Sequence, residues 1–231
     1  MNCLAIVTAR GGSKRIPRKN IRSFLGRPII AYSIAAALES GCFSRVMVST
    51  DDAEIAQVAR ELGAEVPFLR SAATSDDFAT TAEVLLEVLA EYARRGEEFD
   101  CACCLYPTAP FVTAERLREA HRLLLTSGAD AAVPVVRFSF PIERALEIRD
   151  GRLAFRHPEF RNSRSQDLTP AFHDSGQFYF FRVPPFLASR SLFGEQTVAL
   201  ELPETEVQDI DTEEDWQLAE LKYRLLRGGD R

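Results

Sequence analysis

The sequence predicts an α/β fold, a mainly parallel sheet covered on both faces by helices. Three observations predict it. Short apolar, β-rich runs alternate with apolar residues at helical spacing from Leu4 to Val136. Boundary signals stand where this alternation needs them: Pro28 before one helical pattern, Gly63 after another, Thr113 before a third. With 231 residues, 46% of them hydrophobic, the chain can bury the core of one large α/β domain.

Taken in order, Leu4–Ala9 reads as a buried strand and Ile29–Leu38 as a helix with Pro28 at its start. Val46–Thr50 is a second strand, Ile55–Leu62 a helix ending at Gly63, and Ala64–Leu69 a third strand. Ala82–Ala93 is an amphipathic helix, Ala102–Tyr106 a fourth strand, Ala114–Leu125 a helix capped by Thr113, and Ala131–Val136 a fifth strand. The rhythm then changes. Ala145–Ile148 and Leu153–Phe155 flank Asp150-Gly151, a hairpin signal. Phe178–Phe181 and Val198–Leu202 are further strands, and a last helix runs from about Glu213 to Leu226. No linker or repeat divides the chain. One domain spans residues 1–231, and the stretch from about Phe138 to Ala171 protrudes as an arm or lid, a kind of element that commonly mediates dimerisation.

Composition removes several function classes. No run approaches the roughly 18 apolar residues of a membrane span, and the run Cys3–Val7 is too short for a secretion signal. The five cysteines are odd in number and carry no second C-x-x-C or His pair at zinc spacing. Cys101, Cys103 and Cys104 therefore read as small hydrophobes of a buried strand, in a reducing cytoplasm. His121, His157 and His173 are scattered, which argues against a His-based metal site. A net charge of −6 excludes a general nucleic-acid binder. Its distribution says more. Seven basic residues, from Arg10 to Arg27, precede the first acid, Glu39. Such a segment in an acidic chain is aimed at an anion.

That segment follows the first strand directly, where open α/β sheets place their ligands. Gly11 and Gly12 allow a sharp turn with unobstructed N–H groups, Ser13 offers a hydroxyl, and Arg10, Lys14, Arg15, Arg18 and Lys19 supply charge. Together they suit a triphosphate. Two of the three lysines of the chain, Lys14 and Lys19, lie here, and a compact ammonium suits a phosphate oxygen. Neither G-x-x-x-x-G-K-[ST] nor G-x-G-x-x-G is present. Near the other end, Asp209 and Asp211 are two apart, so in an extended segment both carboxylates face one side. That arrangement fits Mg²⁺, which takes one or two carboxylates plus phosphate and water. Thr212 and Asp215 also have the spacing of a capping box for the last helix.

The loop Ala9-Arg10-Gly11-Gly12-Ser13-Lys14-Arg15-Ile16-Pro17-Arg18-Lys19-Asn20 resembles the N-terminal signature of the CMP-sialic acid synthetase family, the nonulosonate cytidylyltransferases. The resemblance extends over almost the whole chain. It runs through Ser49-Thr50-Asp51-Asp52, Pro67-Phe68-Leu69-Arg70, Ser75-Asp76-Asp77-Phe78-Ala79-Thr80-Thr81 and Leu105-Tyr106-Pro107-Thr108-Ala109-Pro110. It implies a Rossmann-like nucleotidyltransferase fold of the GT-A type, a homodimer, and transfer of CMP from CTP to a nine-carbon acidic sugar. By this likeness Arg70 approaches the base or its phosphates, and Ala79, Thr80 and Thr81 read the cytosine edge. Short polar residues before a helix can equally cap it. The same likeness gives Asp209 and Asp211 to Mg²⁺, and Arg10, Gly11, Gly12, Ser13, Lys14, Lys19 and Asn20 to the phosphates.

Two departures from the sialic acid pattern are similar to the pseudaminic acid branch. Tyr106 stands where glutamine is usual, and Phe172-His173-Asp174-Ser175-Gly176-Gln177-Phe178-Tyr179 lacks the usual Asn-Gly pair. Pseudaminic acid is thus the expected sugar, with N-acetylneuraminic and legionaminic acids as alternatives. A non-catalytic nucleotide-binding module is the alternative of another class. A sugar carboxylate needs a cationic partner, for which Arg144 and Arg164 are the candidates. Tyr106, His173 and Gln177 are candidates for hydroxyl or acetamido groups. Arg10, Lys14 and Asp211 are the expected catalytic residues.

Overall fold

The computed structural model describes residues 1–76 and 78–228, Arg227 by its backbone alone. A seven-stranded sheet forms its centre. Strand β1 (Cys3–Thr8) pairs in parallel with β4 (Arg45–Ser49) on one side and with β5 (Cys101–Leu105) on the other. The sheet continues beyond β5 through β10 (Phe178–Arg182), β6 (Ala131–Arg137) and β11 (Thr197–Glu201). β11 is parallel to β6, while β10 is antiparallel to both neighbours. The antiparallel run has a simple cause. The chain leaves β6 at its carboxyl end, builds the arm there and returns from the same end, first as β9 (Phe172–Asp174) along β6 and then as β10.

β1 and β5 are buried along their length because both faces are covered. The side-chain alternation divides them cleanly. Ala5, Val7, Cys103 and Leu105 face α1 (Ile30–Ser40), α2 (Ala53–Glu61) and α4 (Ala114–Ser127). Leu4, Ile6, Ala102 and Cys104 face α3 (Thr81–Arg94) and α5 (Val183–Ser189). A third cluster joins Ile16 of the basic loop to Phe24, Tyr32, Ile210 and Trp216. Trp216 lies in the last helix, α6 (Glu213–Gly228). This cluster brings the first loop against the Asp-x-Asp segment.

Two predicted elements need correction. The strand expected over Ala64–Leu69 is a single parallel bridge, Met47 to Glu65. Pro67 follows two residues later and has no N–H to extend a ladder. Pro28 does not open the first helix. It pairs with Ser23 in a small hairpin of β2 (Ser23–Phe24) and β3 (Arg27–Pro28), and α1 begins after Ile29. Thr113 caps α4 as expected, accepting from Arg116 N at 3.2 Å. The second hairpin forms β7 (Leu146–Arg149) and β8 (Arg152–Phe155) around Asp150 (φ 50°) and Gly151 (φ 74°), the left-handed pair of a tight hairpin turn. Phe140, Ile148 and Leu153 of this segment are 81%, 75% and 71% exposed.

Candidate active site

β1 is where the chain's order reverses, with β4 on one side and β5 on the other. Ligands of open α/β sheets sit outside the carboxyl ends of strands at such a point. A cavity of about 380 Å³ lies there, lined by Thr8, Arg10, Ser13, Lys14, Arg15, Lys19, Asn20, Tyr106, Pro107 and Thr108. A second, of about 410 Å³, shares Thr8, Arg10, Arg15 and Tyr106 with it and adds Arg70, Thr74, Asp76, Ala79, Thr81 and Val84. The two are lobes of one cleft, one bordered by the basic loop and the other by the start of α3.

The loop is held open by its own polar groups. Ile16 is fully buried and acts as its anchor. Ser13 Oγ donates to Ile16 O at 2.6 Å, and Asn20 Nδ2 donates to Arg10 O at 2.8 Å. Gly11 N donates to Asp51 Oδ1 at 2.9 Å, so this N–H braces the loop instead of facing the cleft. Gly11 must be glycine here, since a Cβ would stand 2.8 Å from Asp52 Oδ2. Gly12 is exposed in open space, and neither glycine lines either lobe. Arg18 takes a left-handed conformation (φ 54°), costly for a residue with a Cβ. Asp52 at 2.5 Å and Glu54 hold its guanidinium in place. Asp52 also caps α2 through Glu54 N and Ile55 N. The Arg18 guanidinium above all, helped by those N–H groups, brings the Asp52 carboxyl down to about 2.

The Asp-x-Asp segment meets the loop directly. Arg15 Nη2 is 2.8 Å and Lys19 Nζ 3.6 Å from Asp211 Oδ1, and Lys19 also donates to Ile210 O at 2.7 Å. The Asp209 carboxyl is raised, first by the crowding of protein atoms around it and then by the charge of Asp211. Two like charges kept this close form a donor set that a hard divalent cation relieves, so the oxygens present fit Mg²⁺. Neither aspartate lines the two lobes; Asp211 reaches the cleft's edge through Arg15 and Lys19. The capping box at α6 also forms. Asp215 N donates to Thr212 Oγ1 at 3.2 Å, and Asp215 Oδ2 accepts from Thr212 N at 2.8 Å.

Thr80 and Thr81 part company. Thr80 is the N-cap of α3, its hydroxyl engaged with Glu83 in a complete capping box, and it lies outside both lobes. Thr81 and Ala79 line the second lobe, and Thr81 Oγ1 is 3.3 Å from Tyr106 Oη. Arg70 reaches the same lobe from a site 8% exposed, held by Ser49 Oγ at 3.0 Å and Ser49 O at 2.6 Å. Burial lowers its guanidinium and raises the Tyr106 phenol. Asp77 of the motif lies outside the described residues.

Of the residues expected at the sugar, only Tyr106 lines the cleft. Gln177 is buried at 3% exposure, with Nε2 donating to Glu206 O at 2.6 Å and its main-chain carbonyl accepting from Tyr106 N at 2.8 Å. It positions Tyr106 from behind. Arg144 donates to Ser165 Oγ at 3.2 Å, Arg164 pairs with Asp167 at 2.9 Å, and the His173 ring packs on Phe138 at 4.9 Å between centroids. All three are exposed in or beside the arm, outside both lobes. Sequence reasoning missed Thr8 and Thr108 as lining residues and Asp51 and Asp52 as the loop's braces. Thr8 was recoverable, as the last residue of a strand that points at the ligand end.

A family model described as cytidylyltransferase matches residues 4–213. The pseudaminic acid cytidylyltransferase of Campylobacter jejuni is 39% identical over 97% of both chains. The CMP-N,N'-diacetyllegionaminic acid synthase of Legionella pneumophila is 34% identical, again over 97% of both. Among solved structures, CMP:2-keto-3-deoxy-manno-octonic acid synthetase in complex with CTP superposes with a TM-score of 0.69, covering 99% of this chain and 100% of that one. Its 17% identity makes that a likeness of fold. The basic switch-point cleft, the paired aspartates and the match over nearly the whole length agree: the chain belongs to the cytidylyltransferase family.

Proposed function

We propose that the chain transfers CMP from CTP to the anomeric hydroxyl of a nonulosonic acid, with pseudaminic acid as its sugar, and releases pyrophosphate. The observation that carries the chemistry is the two-lobed cleft, basic at one lobe, with Asp211 paired to its loop. The choice of sugar rests on the 39% identity to a pseudaminic acid cytidylyltransferase.

In this reading Arg10 and Lys14 take the triphosphate, with Ser13, Lys19 and Asn20 lining the same lobe. Ala79, Thr81 and Arg70 shape the lobe for the base. Asp209 and Asp211 would hold Mg²⁺, which would supply charge neutralisation at the phosphates and lower the pKa of the attacking hydroxyl. The sugar hydroxyl attacks the α-phosphorus and gives up its proton to solvent, the bond from the α-phosphorus to the bridging oxygen breaks, and pyrophosphate departs with its charge met by Arg10 and Lys14. Most of the rate comes from positioning. The Tyr106 phenol, raised by burial, stays protonated at neutral pH and serves as a donor to the sugar. Arg144, Arg164 and His173 act on the sugar only if the arm, or a partner's arm, brings them to the cleft.

The chain works in this account as one cytoplasmic domain, residues 1–231, whose arm at about 138–171 pairs two copies. The exposed Phe140, Ile148 and Leu153 support the pairing, since such apolar patches mark association surfaces. All five cysteines are free thiols, in keeping with a reducing compartment. The test is product identity. Incubation with CTP, Mg²⁺ and pseudaminic acid should give the CMP-sugar by mass spectrometry. Formation of an equal amount of UMP-sugar from UTP would contradict the assignment of the second lobe to cytosine.

A further inference from the structure

Three side chains remote in sequence meet at the end of the sheet opposite the nucleotide cleft. Cys3 opens β1 and Cys101 opens β5, and the two are direct partners in the parallel register. Their sulfurs lie within 4.8 Å of one another. His121, on α4, places Nε2 3.9 Å from Cys101 Sγ. One donor atom from each of the three residues lies within 4.8 Å of the other two. Both cysteines are fully buried, while the half-exposed His121 ring stacks on Phe180 at 5.5 Å between centroids and stands at the surface side of the group. Nothing here serves nucleotide transfer. Cys3 and Thr8 are at opposite ends of β1, about 16 Å apart at strand rise.

The spacing is that of a ligand set. Zinc bonds of about 2.3 Å to sulfur and about 2.1 Å to nitrogen, at tetrahedral angles, put neighbouring donors about 3.6–3.8 Å apart. The observed sulfur–nitrogen separation exceeds that by a few tenths of an ångström. Two sulfurs and an imidazole are a soft donor set, unlike the oxygen pair at Asp209 and Asp211. We propose that Cys3, Cys101 and His121 bind a zinc-like divalent cation through two thiolates and one imidazole nitrogen. Binding releases the two thiol protons to solvent and changes no oxidation state. Three protein ligands leave the fourth position to water, which enters past His121. The bound ion ties β1, β5 and α4 together at the base of the sheet.

The experiment is a Co²⁺ titration of the reduced, chelator-stripped full chain. A thiolate-to-cobalt charge-transfer band should grow to saturation at one equivalent and vanish when Zn²⁺ is added. Cys101→Ala and His121→Gln should abolish the band, and Cys42→Ala, outside the trio, should keep it. Zinc should raise the Tm of the wild type and not of His121→Gln. The half-exposed position of His121 lets that variant fold, and its CMP-transfer activity should stay at the wild-type level. Absence of the band in the wild type would overturn the proposal. So would its survival in both ligand variants or its loss in Cys42→Ala. A mass two hydrogens lighter in the protein as purified, mapped to a Cys3–Cys101 disulfide, would also overturn it.

Discussion

In the proposed mechanism Asp211 is the residue whose loss costs the most. It faces Arg15 and Lys19 of the loop and raises its neighbour Asp209. Asp211→Asn should lower kcat by about two orders of magnitude, the scale of losing one charge-stabilising group at a reacting phosphate. The Tm and circular dichroism should stay unchanged, and excess Mg²⁺ should restore part of the rate. Near-normal turnover would remove Asp211 from the metal site. Asp52 gives a prediction in pH. Its folded value of about 2 lies below the reference 3.8, so the unfolded chain binds more protons across this interval. Its contribution is whole above about pH 4 and is lost as pH falls through about 2. Asp52→Asn should therefore show a shallower acid limb in Tm against pH than the wild type. Parallel limbs would mean that the Arg18 pair contributes nothing.

The start of α3 shows at the level of an element what the sequence reveals and what it hides. Thr80 and Thr81 are chemically alike and adjacent, and either can cap or bind. The first turn of the helix decides, by pointing one hydroxyl at Glu83 and the other at Tyr106. Thr80→Ala should cost about 1 kcal/mol in urea unfolding and leave the KM for CTP unchanged. Thr81→Ala should raise that KM about tenfold, the worth of one hydrogen bond to the ligand. The reverse pattern would make Thr80 the reader. Strands buried on both faces were legible because β1 and β5 are apolar throughout. The false strand at Ala64–Leu69 was mostly apolar too, and Pro67 and the charged Glu65 were the signals against it. Gln177 read as a ligand because its amide can bond a sugar hydroxyl or acetamido group and it lies in the family-like Phe172–Tyr179 segment. Its partner, the carbonyl of Glu206, is brought there by folding alone. The meeting of Cys3, Cys101 and His121 was invisible for the same reason, since register and helix placement create it.

For the whole molecule, the cleft and the arm carry the account. The basic loop's place at the cleft was legible from its charge and its position after β1. Its docking on the Asp-x-Asp segment through Ile16, Ile210 and Trp216 was not, because that cluster joins the two ends of the chain. The arm's exposed Ile148 and Leu153 predict association. Ile148→Asp should convert a wild-type dimer to monomer in light scattering coupled to size exclusion, with the CTP cleft intact. A wild-type monomer, or an unchanged dimer in the variant, would contradict the arm as the pairing surface. The central claim is tested most directly by pyrophosphate release from CTP and Mg²⁺, with pseudaminic and N-acetylneuraminic acids compared side by side. Release with pseudaminic acid and little with N-acetylneuraminic acid is the expected result. Preference for N-acetylneuraminic acid would contradict the sugar, and silence with both would contradict transfer to either.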